Sequence, residues 1–197
     1  PGALGKERIL EFCEYVKKQD IRFTFTSFSR AETFKDSDLY LLQEMKKAGF
    51  ISVIIGIESM NSNDLVVYNK RATVEDNLRT IELLKKAGLN FEYGFIMLNP
   101  YSTTNSISQN IEFLKSQQCY QSSRYLSKLC VFYNTRIYFK LKKDGLLNKD
   151  YSYLNVDKYD FMDGDVHFIS EIRDYICENE KFSYLENELV HFDEQYK

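Results

Sequence analysis

Phe50-Ile51-Ser52-Val53-Ile54-Ile55-Gly56-Ile57-Glu58-Ser59 is almost wholly apolar until its last two residues, a carboxylate and a hydroxyl. Consecutive rather than alternating apolar residues suit a strand covered on both faces, as in the parallel sheet of an α/β protein. In sheets and barrels of that class, ligands bind beyond the carboxyl ends of the strands. Glu58 and Ser59 are therefore the first candidates for function.

Working outward, the stretch belongs to a repeat. EMKKAGFISVIIGIE (44–58) and LLKKAGLNFEYGFIM (83–97) share the order helix, KKAG, strand, with a glycine inside each strand. Gly49 and Gly88 occupy matching places, where a helix C-terminus turns into the next strand and a left-handed residue is wanted. EYVKKQDIRFTF (14–25) is a weaker third copy. Three successive helix–strand units with such short connections predict a right-handed βα array, a barrel or part of one.

The remaining elements fit that array. Ile9, Phe12, Cys13 and Val16 share one helical face, and Phe23 and Phe25 alternate with Thr24 and Thr26 in a strand running from Ile21 to Arg30. A second helix starts at Asp36 or Ser37, carries Leu39, Leu42 and Met45 inward, and ends at Gly49. Residues 61–71 read as a polar connection to Thr73, which caps a third helix with Asp76 and buries Leu78, Ile81 and Leu84. Further along lie a strand from Phe91 to Leu98, a helix marked by Ile107, Ile111 and Leu114, a strand from Leu126 to Tyr133, and a helix stopped by Gly145. The expected fold is α/β: a partial TIM-type (β/α) barrel over 1–145, with a mixed, mainly helical appendage over 146–197 whose clearest helix is Phe168 to Glu178.

Composition narrows the function classes. With 197 residues the chain can bury one good core, and its net charge of −3 with scattered basic pairs leaves no footprint for nucleic acid. No apolar stretch is long enough to cross a bilayer and no signal-peptide pattern opens the chain, so a cytoplasmic protein is expected. Cys13, Cys119, Cys130 and Cys177 are far apart, which suits neither a zinc site nor a disulfide framework, and Cys13 and Cys130 are expected in apolar surroundings. Asp163, Asp165 and His167 have the composition of a metal cluster, although such an acidic turn is more often solvated; His191 is the only other histidine.

Several phrases in order resemble the radical S-adenosylmethionine (radical SAM) superfamily, in the branch with cobalamin-binding and Elp3-like enzymes. They are the strand ending in Arg30, LYLLQEMKKAGFISVIIGIES (39–59), LVVYNKRATVEDNLRTIELLKKAGLNFEYGFIMLNP (65–100) and TRIYFKLKKDGLL (135–147). The resemblance implies a barrel that binds a 4Fe-4S cluster and S-adenosylmethionine at its carboxyl end, where the cofactor yields a 5′-deoxyadenosyl radical that takes hydrogen from substrate. The family's CxxxCxxC motif is absent from this sequence, which looks like the C-terminal part of such a domain, and no cluster is expected in this chain. Any cobalamin domain would lie upstream.

By the resemblance, Glu58 and Ser59 match the position that hydrogen-bonds the cofactor's ribose, where a carboxylate can accept from both hydroxyls of a diol. Lys70 and Arg71 match a basic position facing the methionyl carboxylate, and Arg30 an arginine at the cofactor or substrate face. Gly94, Phe95, Ile96 and Met97 match the strand that contacts adenine, while Leu98 to Thr103 departs from the family's usual motif and leaves the substrate side open. Two functions remain: part of a radical SAM oxidoreductase, maturase or methyltransferase, supplying pocket walls without the cluster, or a barrel-derived binding or scaffold module. An open edge at the first strand predicts a homo-oligomer, or cover of that edge by a terminal segment.

Overall fold

The structure is a computed structural model and describes residues 3–19 and 22–179. It divides into two compact units, Pro1–Phe95 and Ile96–Lys197.

The first unit is built on a three-stranded parallel sheet in the order β1 (Phe25–Arg30), β2 (Phe50–Glu58), β3 (Asn90–Phe95). Helices α1 (Ala3–Lys17), α2 (Leu39–Lys47), α3 (Ser62–Val67) and α4 (Val74–Ala87) alternate with the strands. Val53, Ile55 and Ile57 of β2 are fully buried, and Cys13 and Val16 of α1, Leu42 and Met45 of α2, and Ile81 and Leu84 of α4 are buried as well. Burying a side chain of this kind contributes about 1.5–3 kcal/mol, so this one layer holds much of the unit's stability.

The helix boundaries follow local chemistry. Thr73 and Asp76 form the expected capping box, with Asp76 N–H donating to Thr73 Oγ1 at 3.1 Å and Thr73 N–H to Asp76 Oδ2 at 3.2 Å. Gly88 ends α4 in the left-handed region at φ 66°. Gly49 has φ 100°, and a Cβ there would lie 2.2 Å from the Phe23 carbonyl oxygen, so only glycine fits the turn.

Several expectations are corrected. A 3-10 turn, Asp36–Asp38, precedes α2, so the helix itself begins at Leu39, which is only half-buried. Leu78 is exposed, and the stripe of α4 runs through Asn77, Ile81 and Leu84, one residue round from the apolar reading. The connection 61–71 contains α3, because Asn61 Oδ1 accepts from the N–H groups of Asn63 and Asp64 and caps a turn. Of the strand expected over residues 21–30, residue 21 lies outside the described residues, and the strand is formed from Phe25 onward. The second face of β2 is not fully covered: Ile54, Gly56 and Glu58 are half-buried, and their neighbour Phe28 on β1 is 82% exposed.

The second unit carries α5 (Thr104–Ser116), α6 (Ser122–Tyr125), α7 (Arg136–Asp144) and α8 (Gly164–Glu178). Gly145 ends α7 in the left-handed conformation, as expected. No strand forms over 126–133: one parallel bridge joins Lys128 to Leu98, and Leu129 N–H donates to the Leu98 carbonyl at 2.9 Å. The strand expected to reach Leu98 accordingly ends at Phe95. Cys130 is exposed rather than buried, whereas Cys13 is fully buried. Val131, Tyr138, Leu141 and Tyr159 form this unit's core cluster. No helix among the described residues is long and apolar enough to cross a membrane.

Candidate functional site

The carboxyl end of β2 holds an unusual turn. Glu58 has φ 63°, a left-handed conformation that a residue other than glycine adopts at a cost. Ser59 N–H donates to the Ile57 carbonyl at 2.8 Å, closing a three-residue γ-turn around Glu58. The pairing with β3 slips at the same place, from Gly56↔Gly94 to Glu58↔Phe95, so a bulge re-aims the Glu58 side chain.

That side chain lies over a floor of two paired glycines. A Cβ on Gly56 would stand 2.7 Å from Glu58 Oε1 and 3.2 Å from Lys70 Nζ. A Cβ on Gly94 would stand 3.4 Å from Gly56 Cα and 3.8 Å from Glu58 Oε2. The space that side chains would fill is occupied by a carboxylate and an ammonium, with Lys70 Nζ donating to Glu58 Oε1 at 2.7 Å. The two groups are 19% and 18% exposed, partly shielded and still reachable by a ligand.

Helix α4 holds this end of the sheet in place with polar side chains. Asn77, fully buried, donates from Nδ2 to the carbonyls of Ile57 and Ser59, each at 3.1 Å, one on either side of Glu58. Thr80 donates to the carbonyl of Ala31 at 2.6 Å, pinning the residue that follows β1. Asn77 was not among the residues expected to matter. The available signal was its place at i−4 from Ile81 and i−7 from Leu84, a polar residue inside a buried stripe, where a side chain must have backbone partners.

The other candidates divide. Arg30 pairs in register with Gly56, and its Nε donates to Glu32 at 2.9 Å. The Ser59 hydroxyl is buried, donating to Asp64 at 2.8 Å and accepting from Asn61 N–H at 3.0 Å, so it supports the start of α3. Arg71 is exposed. Phe95 is buried, on the face of β3 opposite to Gly94. Ile96 and Met97 belong to the second unit, where Met97 is buried and its N–H donates to Ser127 Oγ at 2.9 Å. Asp163 caps α8 through its carboxylate, and among the described residues no group of three histidine, cysteine or acidic side chains is placed to hold a metal ion. His191 lies outside the described residues.

No family model matches the chain. Similarity to three curated proteins covers between 57% and 73% of it. The chain is 26% identical over 125 residues to 4'-phospho-dehydrooxetanocin synthase of Priestia megaterium, covering 58% of this chain and 17% of that protein. It is 30% identical over 112 residues to the anaerobic magnesium-protoporphyrin IX monomethyl ester cyclase of Rubrivivax gelatinosus, covering 57% and 20%. A bacteriochlorophyllide d C-8(2)-methyltransferase of Chlorobaculum tepidum is 25% identical over 147 residues, covering 73% and 31%. Its homologues are radical SAM enzymes. The chain spans less than a third of the length of each of these relatives. Among solved structures, the cobalamin-dependent S-adenosylmethionine radical enzyme OxsB with aqua-cobalamin and S-adenosylmethionine bound superposes with a TM-score of 0.71 at 19% identity, covering 87% of this chain and 31% of that one. The radical SAM fold is thus shared with a part of that enzyme.

Proposed function

We propose that residues 1–145 are part of a radical SAM (β/α) barrel and that Glu58, Lys70 and the Gly56–Gly94 floor form one wall of an S-adenosylmethionine site. The observation that carries this reading is the Glu58 carboxylate, held at positive φ over two glycines at the carboxyl end of the central parallel strand. Backbone strain of this kind persists where the surroundings over-determine it and function uses it. The cradle fits the group: a carboxylate able to accept from a ribose diol, and beside it an ammonium with donors to spare for a carboxylate. When bound, S-adenosylmethionine in a radical SAM enzyme supplies the radical that takes hydrogen from substrate. What this chain contributes is binding and orientation. Lys70 fixes the Glu58 carboxylate until hydroxyls replace it, and the glycine floor lets a ligand approach the backbone closely. Arg30 supplies a second cation toward the substrate side, and Arg71 and the backbone of Phe95 complete the wall in this reading.

The 4Fe-4S cluster does not fit the side chains described. Such a cluster needs clustered thiolates, and Cys13, Cys119, Cys130 and Cys177 are dispersed, Cys13 being fully buried in α1. No step through the cluster is assigned to this chain. That dispersal also supports a second reading, a barrel-derived binding module.

Isothermal titration of the chain with S-adenosylmethionine tests the site. Saturable one-to-one binding is expected, lost in Glu58→Gln, which keeps the shape and removes the charge. Absence of binding to the parent chain, or equal affinity in the variant, refutes the assignment.

A second copy of the chain is a further proposed partner. Among the described strands β1 pairs on one edge only, and an unpaired edge is a template for association. Sedimentation velocity is expected to give a dimer or larger; a monomer at micromolar concentration contradicts it.

A further inference from the structure

The second unit has its own cleft, of about 190 Å³, lined in part by Lys128, Tyr159, Phe161, His167, Glu171 and Asp174. Lys128 is its odd member. Its side chain is only 5% exposed, and Nζ stands 5.1 Å from the centroid of the Tyr159 ring and 5.5 Å from that of Phe161. The carboxylate nearest to it, Asp174, is 3.5 Å away, while the same carboxylate lies 2.7 Å from Arg173 Nη1. A lysine buried for the sake of an ion pair needs close geometry to offset the loss of hydration. Here the close geometry belongs to Arg173, which a further bond from Nε to the Leu126 carbonyl at 2.7 Å holds in place.

Burial disfavours the charge on Lys128, against the attraction of the two ring faces for a cation. Burial pushes its amine below the ordinary lysine range, with Asp174 and Asp157 opposing the shift and Arg173 adding to it. A desolvated amine of this kind is more often neutral than a surface lysine, and the neutral amine is a nucleophile.

We propose that Lys128 is a nucleophilic amine and that its cleft takes a small aldehyde with a flat apolar body packed against Tyr159 and Phe161. The nitrogen lone pair attacks the carbonyl carbon, so that a C–N bond forms while the π pair of C=O moves to oxygen. One N–H proton passes to that oxygen. The second N–H proton then leaves with the oxygen as water, and a C=N bond remains. Nothing is oxidised or reduced. Asp174, 3.5 Å from Nζ, is the cleft carboxylate placed to take and return these protons. This site uses no residue of the Glu58 cradle, and its test is independent of S-adenosylmethionine binding.

The test is reductive alkylation of the whole chain with benzaldehyde and sodium cyanoborohydride near pH 7. Benzylated lysines are mapped by mass spectrometry, with the exposed Lys142 and Lys149 as internal standards. Lys128 is expected to be modified severalfold faster than either. The preference should vanish in urea, and Lys128→Arg, which keeps the cation, should lose that one product. Modification of Lys128 no faster than of the two standards in the folded chain overturns the proposal, as does a preference that survives in urea.

Discussion

Glu58→Gly is expected to abolish most S-adenosylmethionine binding while leaving the chain at least nearly as stable as before. Glu58 sits at φ 63°, and a non-glycine residue held in such a region costs on the order of 1–3 kcal/mol. Glycine adopts that φ freely, at an entropic cost of roughly 0.5–1 kcal/mol in a strand. The ion pair to Lys70 is also lost, but with both partners near the surface it contributes little, on the order of 1 kcal/mol or less. These terms nearly cancel, so thermal unfolding should shift by only a few degrees in either direction, at about 2–4 °C per kcal/mol for a chain of this size. Affinity behaves differently. Removing a charged acceptor from a ligand contact costs about 1.5–3 kcal/mol, roughly a tenfold to hundredfold weakening. A variant that melts much lower and still binds would mean that Glu58 is kept for structure.

Asn77→Ala should do the reverse, acting on stability first. The amide supplies side-chain donors to the buried carbonyls of Ile57 and Ser59, and alanine leaves both without them in a site fully closed to water. The expected loss is about 1–3 kcal/mol, a fall in melting temperature of roughly 3–10 °C. Because those carbonyls flank Glu58, the turn that aims its carboxylate loosens as well. Affinity for S-adenosylmethionine, measured well below the melting temperature where the variant is folded, should fall too. That second readout separates a positioning residue from a merely structural one. Unchanged melting would contradict the clamp, and unchanged affinity in a destabilised variant would confine Asn77 to folding.

What was legible in the sequence was local. Gly49, Gly88 and Gly145 mark helix ends because a positive φ is a property of the residue itself, and the Thr73–Asp76 box closes within four residues. The repeat around KKAG exposed the parallel βα order for the same reason. What failed depended on partners distant in the chain. The run from Leu126 to Tyr133 has the composition of a strand, yet only Lys128 finds a bridge, and Cys130 is left exposed. Apolar periodicity selected Leu78 for the core, where the sheet end instead required the amide of Asn77. At the candidate site, Glu58 could be picked out as a carboxylate at a strand end. Its positive φ, its contact with Lys70 and the glycine floor beneath it arise only when β2, β3 and the segment after α3 are brought together. Ser59, its neighbour in the motif, is spent on Asp64 and the backbone of Asn61, a local use that an Asx-like turn after a strand could have suggested.

The most direct test of the Glu58 cradle is a titration of the isotopically labelled chain with S-adenosylmethionine, followed residue by residue through its backbone amide resonances. Binding at the cradle predicts saturable shifts centred on Gly56, Glu58, Lys70 and Gly94, with the amides of α1 unmoved. A spectrum that does not change, or shifts confined to residues away from the carboxyl end of β2, would contradict it.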